Sequence, residues 1–254
     1  MDPRDSVVAY PRIDDKFRKK HSINFDMMKS KPFTDREEPI NVSVWRWVIY
    51  SLIGFFTGTL AFLMALLEDS LIEARDNVVK SVFKGGSPAI VGWAFYAGWC
   101  FIICAIGSIL TIKVGPGANG SGIAETMAIL NGVNYPGFIG WGVLFCKCLC
   151  VILGIAGSLC IGKEGPLAHI GSCVAYLVVY KIPIPAFDYF KNEVAKREFL
   201  AGGASAGVSA AFGAPIGGAL FSYELSRPAA FWKFSMLWRI FFCSSVSTFT
   251  LSFL

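Results

Sequence analysis

The sequence predicts an all-α protein that crosses a membrane several times, and three observations carry that expectation. Of its 254 residues, 54% are hydrophobic and only 16% are charged, where a soluble domain carries about a quarter charged residues; the mean hydropathy is +0.55. The charge is also unevenly spread. Residues 1–40 mix both signs densely, whereas Trp47 to Leu67, Gly85 to Ile112 and Phe199 to Tyr223 carry no charge. A helix needs about 20 apolar residues to cross a bilayer, and several such runs do not fit one soluble core. Finally, glycine and proline cut the later apolar segments into pieces shorter than a full span. Irregular backbone at membrane depth survives only where it lines a cavity or is buried in protein, as in the broken helices of channels and transporters.

The elements follow in order. The stretch "MDPRDSVVAYPRIDDKFRKKHS" has no apolar core beside its basic residues and is not a signal peptide. Residues 1–40 read as a solvated tail, and the cluster Arg18, Lys19, Lys20 before the first span favours the cytosolic side. A first span runs from Trp45 to Leu67, with Gly54 and Gly58 placed for close helix approach. A second covers Ala89 to Ile112. Broken segments follow in "VGPGANGSGIAETMAIL", "GWGVLFCKCLCVILGIAGSLCIGKEGPLAHIGSCVAYLVVY", "REFLAGGASAGVSAAFGAPIGGALFSYEL" and "FWKFSMLWRIFFCSSVSTFTLSFL".

Several function classes fall away. A net charge of +5, scattered along the chain, gives no nucleic-acid footprint. The eight cysteines all lie in apolar segments and read as buried free thiols, with Cys146, Cys148 and Cys150 pointing in three directions on a helix. With His21 and His169 the only histidines, no metal site has enough ligands. The pattern G-x-G-x-x-G in "GPGANG" lacks the strand, and the acid about 20 residues on, that a dinucleotide site needs. No nucleophile, base and stabiliser constellation suggests an enzyme, and no cofactor is implied.

Two of the breaks carry the chemistry of an anion site. In "GSGIAE", Gly120 to Gly122 form a turn, and a helix can start at Ile123 with its free N–H groups and positive dipole end facing that turn. The Ser121 hydroxyl is a further donor. In "GKEGPLAHIG", Pro166 suits the first turn of a helix, so Glu164 lies at or just before its N-terminus. The dipole that would hold a chloride also stabilises this carboxylate. Glu164 can therefore occupy an anion site and vacate it, which is the behaviour of a gate. An ionised group at bilayer depth costs about 3 kcal/mol on insertion scales, which argues for function over simple capping. Lys163 and Lys147 have three readings: pairing with an acid, snorkelling, or shaping the local potential. His169 reads as a packed, hydrogen-bonded side chain rather than a proton relay.

The segments "GSGIAE" (120–125), "GKEGPLAHIG" (162–171) and "AFGAPIGGALFSYE" (211–224) resemble the three N-terminal signatures of the CLC chloride channels and chloride/proton exchangers, over about residues 40 to 254. The stretch "KREFLAGGASAGVSAAFGAPIGGALFS" is most similar to the eukaryotic endosomal and lysosomal branch. The resemblance implies a CLC-type pore domain, here 41–254, with broken and tilted helices. It implies a homodimer with an anion pore in each subunit, in an endosomal, lysosomal or vacuolar membrane. Ser121 matches the serine that coordinates the central chloride, a residue associated with preference for chloride over nitrate. Gly122 and Ile123 follow it at the helix start. Glu164 matches the gating glutamate, and Gly162, Lys163, Gly165 and Pro166 frame it. Three departures stand out. Ala124 replaces the usual proline of the first signature. Leu225 stands where exchangers carry a second acid after Glu224, which opposes strict proton coupling. The chain also corresponds to the first of two inverted repeats, so a fragment or truncated product is expected. The functions implied are a voltage-gated chloride channel, a coupled chloride/proton exchanger, or a non-conducting half-subunit that modulates a full-length relative.

Overall fold

The computed structural model describes residues 40–84, 88–133, 135, 137–183, 185–226 and 234–254. The N-terminal tail, with His21, lies outside the described residues except for Ile40. The described segments all belong to one compact unit, Pro39–Leu254, and contain helices and turns with no strand among them.

Among the described residues, eight α-helices form in chain order: α1 (Ile40–Lys84), α2 (Ala89–Lys113), α3 (Ile123–Leu130), α4 (Trp141–Ala156), α5 (Glu164–Lys181), α6 (Glu193–Phe212), α7 (Pro215–Ser226) and α8 (Phe234–Phe253). Short 3₁₀ turns at Pro116–Ala118 and Pro185–Phe190 precede α3 and α6. Among the described residues, three helices are long and apolar enough to cross a membrane: Val42–Val82, Ala89–Lys113 and Phe234–Phe253. The chain is a multi-pass membrane protein.

One expectation is corrected here. The helix that holds the first span does not stop at Leu67, because α1 continues through a charged stretch to Lys84. Nothing between Glu68 and Lys84 breaks a helix, since no glycine or proline occurs there. At about 1.5 Å per residue, 45 residues make a rod about 67 Å long. The uncharged run Phe199 to Tyr223 is broken, as its glycine and proline imply. It is cut at Gly213, whose φ of 64° is the left-handed cap that ends α6, and Pro215 then opens α7.

The core is the bundle of α1, α5, α6 and α8. In lipid, helices associate through close backbone approach and interhelical hydrogen bonds rather than through hydrophobic exclusion. Both devices are present. A Cβ added at Gly54 or Gly58 would lie 2.5 Å from the Cys243 or Ser247 carbonyl oxygen, so α1 seats on α8 only because those positions are glycine. On the other side α5 meets α6 backbone to backbone, with Gly171 against Gly203 and Gly207 against Leu167. Hydroxyls join the seams. Ser172 donates to the Leu200 carbonyl (3.2 Å), Ser247 to that of Ala206 (3.1 Å), and the Ser205 and Ser244 hydroxyls lie 2.5 Å apart.

One buried charge cluster ties three helices together. Glu198 of α6 accepts from Arg46 of α1 (3.3 Å), from Arg239 of α8 (3.2 Å) and from the Tyr50 hydroxyl (3.1 Å). A single carboxylate shared by two guanidinium groups and a phenol satisfies its lone pairs, the condition under which a buried charge is tolerated.

The cysteines are free, but not all are buried. Cys160 is exposed, and Cys100, Cys104 and Cys150 are half-buried. Nor do the three cysteines of α4 diverge fully. Cys146 and Cys150 are four residues apart and share a face, with sulfurs 3.8 Å apart. No group of three His, Cys, Asp or Glu side chains that could hold a metal occurs among the described residues.

Candidate anion site

The site is built where α3 and α5 both begin. The α3 helix starts at Ile123, behind Gly122 at φ 84°. That dihedral lies in the left-handed region, open to glycine at little cost. A Cβ at Gly122 would also fall 2.7–2.8 Å from the His169 ring. The first turn closes through Thr126, whose N–H and hydroxyl both bond to the Gly122 carbonyl, at 3.0 and 2.7 Å. Alanine at position 124 therefore sits in a well-formed turn. The Ile123 N–H lies 3.4 Å from the Ser121 hydroxyl oxygen, a long contact.

The loop before α3 is pinned from beneath. Lys147 of α4 is only 2% exposed and donates to the carbonyls of Ala118 (2.9 Å) and Gly120 (2.6 Å). Of the three readings open for this lysine, the structure selects neither snorkelling nor pairing with an acid among the described residues. Its charge lies beside the Ser121 turn, and it engages two carbonyl dipoles of the loop that leads into it.

The α5 helix begins at Glu164, with Lys163 as its cap and Pro166 in its first turn. The Glu164 side chain folds back over Gly162. A Cβ at Gly162 would collide with the carboxylate oxygen Oε2. Any side chain at 162 would displace that carboxylate. Gly165 brings the two helix starts together, since a Cβ there would lie 2.9 Å from the Ser121 Cβ and 3.2 Å from Ile123 Cδ1. Ser121, Gly122, Ile123 and Gly165 thus form one surface, with Glu164 on the first turn of α5 and Gly162 just ahead of that helix. Two positive helix ends converge on the same spot.

His169 is the wedge between the two helices. It is fully buried, stacks on Phe138 with ring centroids 3.8 Å apart, and has Nε2 3.0 Å from the Phe138 carbonyl oxygen. This agrees with a packed role.

Lys163 has another partner. Its ammonium lies 3.6 Å from the Glu68 carboxylate of α1, a residue 95 positions away that sequence patterning did not single out. The only hint was an acid directly behind the uncharged run ending at Leu67. In the third signature, Leu225 is buried in the core while Glu224 is exposed. The position after Glu224 is packed with hydrocarbon, as its residue type implies.

A model of the voltage gated chloride channel family matches residues 100–254. Over 253 residues the chain is 39% identical to H(+)/Cl(-) exchange transporter 7 of Mus musculus, covering 92% of this chain and 31% of that protein. It is 33% identical over 217 residues to chloride channel protein D of Dictyostelium discoideum, covering 83% of this chain and 21% of the relative. The chain therefore spans less than a third of the length of the relatives it matches. Among solved structures, a eukaryotic CLC transporter superposes with a TM-score of 0.73 at 23% identity, covering 84% of this chain and 39% of the other. A slow cyanobacterial Cl-/H+ antiporter superposes with a TM-score of 0.71 at 22% identity, covering 85% and 47%. These likenesses bear on the fold, and with the family match they place it: the chain belongs to the voltage gated chloride channel (CLC) family.

Proposed function

We propose that the chain supplies the anion-binding and gating half of a chloride pathway across a membrane. In this reading chloride rests against the Ser121, Gly122 and Ile123 end of α3 and the Gly162 to Pro166 start of α5. Glu164 competes with it for the same positive field. The observation that carries the proposal is the contact of Gly165 with Ser121, which sets both helix starts against each other, with the Glu164 carboxylate folded over Gly162 just ahead of α5. Chloride is the transported ion, and no cofactor takes part. Because 100 mV is worth about 2.3 kcal/mol for each charge crossing the field, a carboxylate displaced by chloride makes transport voltage-dependent.

A second reading is coupled chloride/proton exchange. The names of the mammalian relatives favour it, and Leu225 opposes it. Proton movement driven by a chloride gradient in vesicles separates the two, since an uncoupled channel moves none. An endosomal or lysosomal membrane and a homodimeric assembly belong to the same proposal and rest on the resemblance to that branch.

The test is Glu164→Ala in the full protein, with the same change in a chimera that carries this segment in place of the matching part of the mouse transporter. Chloride flux is expected to persist and to lose its voltage dependence. Unchanged voltage dependence removes the gate assignment.

A further inference from the structure

We propose that Glu68 is a positioning residue of the anion site, acting by neutralising Lys163. The inference rests on the reading of the α5 start as an anion site and adds a residue from the middle of α1 to it.

Glu68 is 5% exposed and directly follows the uncharged run of α1. A carboxylate so enclosed is costly unless paired. One oxygen, Oε2, is 3.6 Å from the Lys163 ammonium, and the other, Oε1, has no hydrogen-bond partner among the described residues. Both side chains line a cavity of about 240 Å³ together with Met64, Leu167 and Ala210. At about 30 Å³ per molecule, that space holds several waters. The free oxygen can be hydrated there without leaving the ion pair. Asp69, the neighbouring acid, is exposed.

The pair is unequal. The acid is nearly enclosed, whereas the Lys163 side chain is 41% exposed. Burial fixes the acid, and the acid fixes the lysine. Lys163 is also the cap of α5, directly before Glu164. Unpaired, its charge would add to the positive pole of the helix and deepen the anion well. Paired, it contributes little net charge. Across about 10 Å, at an effective dielectric between the surface and bulk-water values, one unit charge changes anion affinity roughly fivefold. Glu68 thus sets how tightly the well holds chloride, keeping it shallow enough for release.

The signs make the proposal testable. The purified full protein in detergent is titrated with chloride by calorimetry, and its melting midpoint is measured alongside. Glu68→Gln is expected to tighten chloride binding roughly fivefold, because Lys163 is left uncompensated. Lys163→Met is expected to weaken it by a similar factor. Glu68→Gln combined with Lys163→Met, again net neutral, returns affinity to within about twofold of the parent. A merely structural Glu68 would lower the melting midpoint without tightening binding, and that result overturns the proposal, as does a double variant that keeps the Glu68→Gln affinity. Where one single variant fails to fold, the other decides, since an unchanged affinity in it is equally fatal. Glu164→Ala, measured in parallel, keeps the two ideas apart. If it alters voltage dependence while Glu68→Gln leaves affinity unchanged, only the Glu68 inference fails. If Glu164→Ala changes nothing, the site itself is misassigned.

Discussion

The starts of α3 and α5 face each other with the same dipole and opposite furnishing. The α3 end does not open on an acid; its first one, Glu125, comes two residues later and is half-buried. It opens on Gly122, is flanked by the Lys147 ammonium and is clamped by the His169 ring. The α5 end begins with an acid of its own, and Glu164 lies folded over Gly162. One wall opens on glycine, while the other opens on a carboxylate. In the proposed site that difference supplies attraction from the first wall and competition from the second.

The glycine wall can be broken first. Gly122→Ala forces a Cβ into the left-handed region and into the His169 ring, at a combined cost of about 3 kcal/mol. Thermal unfolding in detergent should show a clear loss, and Gly213→Ala is the control. There φ is also positive, 64°, but the space is open, so the loss should be only about 1 kcal/mol. Equal losses at the two positions would remove His169 as a clamp.

A smaller effect is expected from Lys147→Met. It takes away the charge beside the Ser121 turn and leaves two carbonyls without a donor, and chloride affinity should fall about tenfold. Unchanged affinity would mean that the lysine serves the loop alone. Ser121→Ala comes last. Removing one neutral donor while the α3 N–H groups remain should weaken binding about threefold, near 0.7 kcal/mol. A loss as large as that of Lys147→Met would shift the weight of the site from the helix end to the hydroxyl.

Both helix starts were legible in the sequence because their signals are local. A Gly-Ser-Gly turn before Ile123 and a proline two residues after Glu164 fix where each helix can begin, whatever packs around them. The small-residue pair Gly54 and Gly58 was legible for the same reason. What escaped depends on residues far apart in the chain. The end of α1 was misplaced because charge was taken as the limit of the helix, whereas charge limits only the apolar part of it. Glu68 reaches Lys163 across 95 residues, and no periodicity reports such a pairing. His169 looked like a packed histidine and is one, yet its partners, Gly122 and Phe138, emerge only once α3 and α5 are set together.

The length of α1 has a mechanical consequence. One unbroken rod meets the Glu198 cluster near its beginning, through Arg46 and Tyr50, and reaches Lys163 through Glu68 two turns before Arg75. Further along, Arg75 bonds to Ser158 in the loop that leads from α4 toward Glu164. With no proline to serve as an elbow, the two contacts sit on one continuous hydrogen-bonded backbone, like two fixings on a single beam. A shift of the Glu198 cluster is thereby felt at the Lys163 end of α5.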